Sequence, residues 1–315
     1  MTPEQYAEVA AALDKFWEVR KKARDDQDGR GVSEPGERAG VTAGGHLDHV
    51  AHMLAMTCVK AGAPATEVYY KAPPEFIKSG LVAPGQTSPG YTLPGFYRPT
   101  KAWDVVVRAN RRPIVAIELK SQLGPSYGNN ANNRAEEAIG TATDLTKAVE
   151  QGLLPGKPWT GYVYVIEDDP ASSIEPGRKA DQIFHPKDDI FDTASYQDRV
   201  RILCQRLVEE DVYDSTWAVA TRRPYCPNEY ASESAKKKNL CPYLTAKFSH
   251  LDHETAHGFD FKELDTELSG YAKFANSLTA VIQKHYPSGQ EGRPFREHWD
   301  SNSPTLFDHA LDSEA

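Results

Sequence analysis

Two carboxylates and one amine form the pattern in this sequence with the clearest chemical meaning. Asp104 is followed, after thirteen intervening residues, by Glu118-Leu119-Lys120, and these polar groups flank or close apolar runs, Val105–Val107 and Ile114–Ile117. Side chains two apart on a strand share a face, so Glu118 and Lys120 point the same way. The link Asn110-Arg111-Arg112-Pro113 is short, which predicts an antiparallel hairpin of Asp104–Ala109 with Ile114–Lys120. Folding back brings Asp104 beside Glu118 and Lys120. Two adjacent carboxylates repel, and a hard divalent cation with oxygen ligands relieves that repulsion; Mg²⁺ is the usual occupant beside phosphate. The main-chain carbonyl of Leu119 would face the same ion. An ion there polarises a phosphoryl oxygen, lowers the pKa of bound water and stabilises a leaving alkoxide. Lys120 would orient or help deprotonate the attacking water and screen charge developing on the phosphate. The chemistry is phosphodiester hydrolysis.

Other elements must hold these groups in place. Residues 3–26 carry apolar positions at helical spacing (Tyr6, Val9, Leu13, Phe16, Trp17), and a Gly/Pro/charge-rich loop, 28–45, follows. A helix is expected over His46–Ala61, a strand over Thr66–Lys71, and an irregular Pro/Gly-rich connection over Pro73–Pro99. After the hairpin comes a polar loop, then a helix over 134–150 with Asn133 as N-cap and Glu136 as capping-box partner. A strand over Gly161–Glu167 follows across a connection long enough for a parallel crossover. Further expectations are a helix over Ala194–Val212, strands over Thr216–Thr221 and Thr245–Leu251, and a helix over Phe261–Tyr286. The fold class is α/β, a mixed sheet flanked by helices. The organisation reads as an N-terminal helix and loop (1–45), a central domain (46–286) and a polar extension (287–315).

The order Asp, thirteen residues, Glu-x-Lys is the signature of the PD-(D/E)XK nuclease superfamily, with Trp103 where its name places Pro. Leu93-Pro94-Gly95-Phe96-Tyr97-Arg98-Pro99-Thr100-Lys101-Ala102-Trp103-Asp104, then Glu118-Leu119-Lys120-Ser121-Gln122, Gly128-Asn129-Asn130 and Asn133-Arg134-Ala135-Glu136-Glu137, resembles the XhoI family of type II restriction endonucleases. The resemblance is most specific over residues 93–150 and looser over 40–250. It implies a restriction-endonuclease-like fold, with 46–286 as a nuclease domain carrying DNA-recognition elements, and Asp104, Glu118 and Lys120 as the catalytic set, with Glu136 or Glu137 a further carboxylate for a second ion. It also implies a homodimer cutting both strands of a palindrome, CTCGAG, to leave 5′-phosphates. A cognate DNA methyltransferase would act on the same site without a stable complex.

The charge distribution suits a DNA substrate. The chain of 315 residues has 36 Lys and Arg against 45 Asp and Glu, a formal net charge of −9, which excludes a polycationic DNA-coating protein but not a local basic cleft. Between Gly95 and Gly124, Arg98, Lys101, Arg108, Arg111, Arg112 and Lys120 outweigh Asp104 and Glu118. Between Trp217 and Lys247, Arg222, Arg223, Lys236, Lys237, Lys238 and Lys247 outweigh Glu229 and Glu233. Asn amides pair with adenine and Arg with guanine, and both bind phosphate. The candidate DNA contacts are therefore Gln122, Asn129, Asn130, Asn132, Asn133, Arg134, Arg222, Arg223, Lys236 and Lys237. The Arg222–Tyr225 turn, closing a strand, is expected to project into the major groove.

Other chemistries find less support. With 39% hydrophobic and 26% charged residues the composition is that of a globular chain, and no run of about 18 apolar residues signals a membrane span. The four cysteines, Cys58, Cys204, Cys226 and Cys241, form no Cys-x-x-Cys pair; they read as reduced thiols of a cytoplasmic protein, and a zinc site on Cys226 and Cys241 lacks two partners. His253-Glu254-Thr255-Ala256-His257 matches the zinc-protease helix, with Glu254 as base. Yet Gly258 follows at once, no apolar face backs the segment, and Glu263 or Glu267 as third ligand fits no known spacing. His46, His49 and His52 read as exposed or half-buried helix positions within reach of phosphate. A structure-specific repair nuclease and a catalytically inactive DNA-binding protein remain the alternatives to a restriction enzyme.

Overall fold

The computed structural model describes residues 1–28, 45–81, 89–176, 188–229, 241–253 and 256–287. Its helices are α1 (Pro3–Asp28), α2 (Asp48–Lys60), α3 (Pro74–Lys78), α4 (Tyr127–Glu150), α5 (Pro170–Ser173), α6 (Tyr196–Glu209) and α7 (Tyr271–His285). Its strands are β1 (Val68–Tyr70), β2 (Thr92–Pro94), β3 (Thr100–Ala102), β4 (Val105–Ala109), β5 (Arg112–Gln122), β6 (Trp159–Glu167), β7 (Ser215–Arg222) and β8 (Asp260–Glu263). Six strands form one sheet in the order β1-β4-β5-β6-β7-β8, and β2 and β3 pair separately. The β4–β5 and β7–β8 pairs are antiparallel and β6–β7 is parallel, so the expected mixed α/β architecture is present. Packing divides the chain into two units, one of Met1–Val50, Leu119–Ala142 and Gly161–Phe274, the other of Ala51–Glu118, Thr143–Thr160 and Ala275–Ala315.

The expected hairpin forms, with β5 longer than its apolar run. Asn110 and Arg111 both take positive φ, 52° and 66°, the left-handed pair that a two-residue hairpin turn needs to match strand twist. A register shift between Val107 and Arg108 marks a bulge. Val105, Val106, Val115, Ala116 and Ile117 have no exposed surface, the signature of strands covered on both faces.

In the first-named unit, α1 buries Val9, Leu13, Phe16 and Trp17, and Trp17 Nε1 donates to Thr221 Oγ1 at 3.1 Å. Helix α6 starts on a capping box, Ser195 with Asp198, which satisfies N–H groups left open by the first turn. It carries the chain between the parallel strands β6 and β7. In α7, Phe274, Leu278 and Ile282 recur every four residues and are fully buried, one apolar stripe of a helix.

Three expectations are corrected. Helix α4 begins at Tyr127, not after Asn133, so the asparagine cluster lies in its first two turns and the Asn133–Glu136 capping box does not exist. Tyr127 is buried, its hydroxyl donating to Asp169 Oδ2 at 2.7 Å. That anchor outweighs the weak helix propensity of Asn, and Asn129, Asn132 and Asn133 stay exposed. Residues 245–251 form turns after a 3₁₀ segment, Pro242–Leu244, rather than a strand. The strand there is β8, with Phe261 buried and Lys262 exposed, and the helix expected from Phe261 starts only at Tyr271. Gly270, at φ 134°, ends the extended stretch in a conformation closed to other residues. Residues 29–44 of the expected loop and 288–315 of the extension lie outside the described residues.

Candidate active site

The pairing of β4 with β5 sets the site. Val105 lies opposite Ile117, and the Asp104 N–H donates to the Ile117 carbonyl at 3.0 Å. Asp104 and Glu118 thus adjoin the last pair of the β4–β5 ladder, one on each strand. Both are buried, at 8% and 1% exposure, and each meets a lysine. Glu118 Oε2 accepts from Lys101 Nζ at 2.7 Å and Asp104 Oδ1 from Lys71 Nζ at 3.1 Å. Charges removed from water need such partners. Lys101 comes from β3 and its ammonium also lies 5.7 Å from the Trp103 ring centre. Lys71 follows β1, where Tyr70 pairs with Val105 and the Lys71 N–H donates to the Asp104 carbonyl at 3.2 Å.

Sequence reasoning counted Lys101 as a basic residue but gave it no place beside the acids, and passed over Lys71. A charge in or just after a three-residue strand carries no local signal of its partner. It also missed the loop before β3, where Asp144 accepts from the Phe96 and Tyr97 N–H groups at 2.8 and 2.7 Å and from Arg98 Nε at 2.8 Å. The carboxylate fastens a turn that displays Phe96 and Tyr97 at 45% and 70% exposure.

Lys120 lies two residues beyond Glu118 on the same strand, so alternation gives the two a common face. Its ammonium is 3.5 Å from Glu137 Oε2 on α4, and Glu137 also pairs with Arg134. Of the two further carboxylates, Glu137 reaches the lysine while Glu136 is an exposed helix residue. His46 Nε2 hydrogen-bonds Ser121 Oγ at 2.9 Å. Burial, helped by the charges of Arg20 and Arg134, holds the imidazole down at about 3. His46 and His49 are thus buried rather than exposed, and His52 bonds the Tyr70 hydroxyl at 2.8 Å.

Several candidate DNA contacts have structural partners instead. Gln122 is 2% exposed, donates to the Tyr127 carbonyl at 2.6 Å and accepts from the Tyr164 hydroxyl. Arg223 does not project outward; its Nε and Nη2 each lie 2.8 Å from a Glu167 oxygen. Glu167 also accepts the Gly124 N–H at 3.0 Å. Burial and the Glu167 charge push the neighbouring Asp169 up to about 7. Arg222 is half-buried with a guanidinium nitrogen 3.6 Å from Asp168. Asn130 and Arg134 are half-buried on α4, and Lys236 and Lys237 lie outside the described residues.

Residues 26–233 match the family described as Restriction endonuclease XhoI. The chain belongs to that family. Among its relatives, a type II restriction enzyme XhoI of Xanthomonas vasicola is 39% identical over 199 residues, 62% of this chain and 71% of that protein. The type II restriction enzyme BstVI of Geobacillus stearothermophilus is 32% identical over 233 residues, covering 71% of this chain and 94% of its own length. AbrI of Azospirillum brasilense, also a type II restriction enzyme, is 37% identical over 178 residues, 54% and 68% of the two chains. No solved structure matches. The Asp104–Lys120 hairpin and the first half of α4 lie inside the span that matches the XhoI family. Among the described residues no helix is long and apolar enough to cross a membrane.

Proposed function

We propose that this restriction endonuclease cuts both strands of a short palindromic DNA site by Mg²⁺-dependent hydrolysis, with Asp104, Glu118 and Lys120 as its catalytic set. The observation that supports the reading is the β4–β5 register, in which Val105 lies opposite Ile117 and the buried Asp104 and Glu118 adjoin that pair at the end of the ladder. That donor set is all oxygen, from Asp104, Glu118 and the Leu119 carbonyl, and it fits a hard cation better than a thiophilic one. When bound, the ion supplies Lewis-acid polarisation of the phosphate and a more acidic water. The chain's own groups do the rest. Lys120 shares a face with Glu118 and would hold the attacking water or neutralise the phosphate oxygen, while Glu137 orients its ammonium. Lys71 and Lys101 pair with the carboxylates and would turn to phosphate as DNA enters.

A symmetric site on DNA calls for a symmetric reader, so the reading includes a homodimer. The exposed amides of Asn129, Asn132 and Asn133 on α4 are the recognition groups it favours, and a companion methyltransferase would protect the same sequence. Two experiments test the proposal. Plasmid digestion in Mg²⁺ should give discrete fragments whose ends map to one palindrome; a smear or junction-specific nicks would instead favour a repair nuclease. Asp104→Ala and Glu118→Ala should each lower cutting at least a thousandfold while DNA binding in Ca²⁺ persists, and full cutting by either variant would refute the assigned roles.

A further inference from the structure

Four side chains far from the carboxylates in sequence meet around a single point. Cys226, Cys241, His253 and His257 each offer one ligand atom, and these atoms all lie within 4.8 Å of one another. Both cysteines are buried and neither is in a disulfide. Along the sequence, Cys226 and Cys241 lack two partners, and His253 and His257 stand in a protease-like motif with no fitting third ligand. The fold joins the two half-motifs, because the excursion between β7 and β8 doubles back on itself.

We propose that these four residues hold a structural zinc ion. Thiolate and imidazole are the donors that a borderline ion such as Zn²⁺ selects, and two of each is a standard tetrahedral set. Bond lengths of about 2.3 Å to sulfur and 2.05 Å to nitrogen, at the tetrahedral angle, place S and N about 3.6 Å apart. Cys241 Sγ and His257 Nε2 are 3.5 Å apart. His253 Nε2 is buried and has no hydrogen-bond partner, an arrangement that costs free energy unless something ligates it.

The surroundings are those of a supported site. Asn228 Oδ1 accepts the Cys241 N–H at 2.6 Å, and the His257 ring hydrogen-bonds the Arg223 main chain, an outer contact of the kind that fixes a ligating imidazole. The Tyr243 ring stands 6.4 and 5.7 Å from the two imidazoles. With four protein ligands no position is left for water or substrate, so the ion is structural and the His-Glu-x-x-His string does not mark a protease. Its work is to clip the chain between Arg223, which braces β6 through Glu167, and β8. The span between the two cysteines carries Lys236, Lys237 and Lys238, so the clip tethers the two ends of a segment with three consecutive lysines.

The test is metal analysis of the full-length protein, made without a metal-affinity tag. One zinc per chain is expected; Cys241→Ser and His257→Ala should lose it, whereas Asp104→Ala, in the separate cutting centre, should keep it. Replacement by Co²⁺ should give the strong visible bands of a tetrahedral ion together with near-ultraviolet sulfur-to-cobalt charge transfer. If the ligand variants fail to fold, the stoichiometry and cobalt spectrum of the unaltered chain decide alone. A folded protein without zinc and without those bands, a Cys226–Cys241 disulfide in thiol counting, or zinc retained by both ligand variants would overturn the proposal.

Discussion

Arg223 separates two ideas about what a basic turn does. As a reader of DNA it would sit in solvent until a base arrives; here its guanidinium grips Glu167 through two 2.8 Å hydrogen bonds. The side chains of this pair are 9% and 5% exposed. The guanidinium carbon also lies 5.3 Å from the Trp17 ring centre and 5.7 Å from that of Tyr225. Arg223→Met keeps most of the stem and removes the charge. Glu167 is then left buried next to Asp169, still accepting the Gly124 N–H. Stranding one member of a buried pair costs about 3–5 kcal/mol, a large share of a typical stability of about 5–15 kcal/mol. At an unfolding entropy of about 2.1 cal/mol/K per residue, a chain of 315 residues shifts by roughly 1.5 °C per kcal/mol, so the midpoint should fall by about 5–8 °C. Adding Glu167→Gln removes the orphaned charge and should restore most of the loss. Thermal and urea unfolding of the single and double variants measure both effects. Stability within about 1 kcal/mol of the parent, accompanied by loss of site discrimination on DNA, would refute the structural role and return Arg223 to the recognition surface.

Two further outcomes follow from the same structure. Lys101→Met removes an ammonium 2.7 Å from Glu118 that competes with any cation for that carboxylate. The Mg²⁺ concentration for half-maximal cutting should fall three- to tenfold, equivalent to about 1 kcal/mol for a partly screened pair; an unchanged or higher requirement in a metal titration would contradict the competition. His46, held down at about 3 by burial and by Arg20 and Arg134, contributes stability that is fully present above its unfolded value near 6.5 and is lost as pH falls toward 3. Relative to His46→Gln, the parent should lose about 2 kcal/mol between pH 7.5 and pH 5, read from paired urea melts; parallel curves would mean that the imidazole is not held neutral.

The hairpin carrying Asp104, Glu118 and Lys120 was legible because strand chemistry is local. Period-two alternation fixes Glu118 and Lys120 on one face, and a short link folds the start of β4 back toward the end of β5, whereas the exact register rests on the bulge after Val107, which the sequence does not announce. The α4 boundary was not legible, since Asn and Gly favour turns in isolation and only the buried Tyr127–Asp169 contact carries the helix back over them. The pairing of Lys71 and Lys101 with the acids was invisible for another reason: their partners are 33 and 17 residues away, joined through β1 and β3, whose short runs carry little periodicity. Arg223 and Gln122 read as surface donors because a sequence shows charge and amide but not what a fold places against them. Cys226, Cys241, His253 and His257 show the same limit from the other side, because two pairs that each look incomplete become one set when the chain folds back. The amino-acid order by itself determined the hairpin, its two acids and the amine beside them, since covalent spacing along a strand dictates which side chains share a face. Tertiary structure alone decided which lysines guard those acids, which basic groups are spent inside the protein and which thiols and imidazoles meet, because burial and long-range pairing depend on every segment at once.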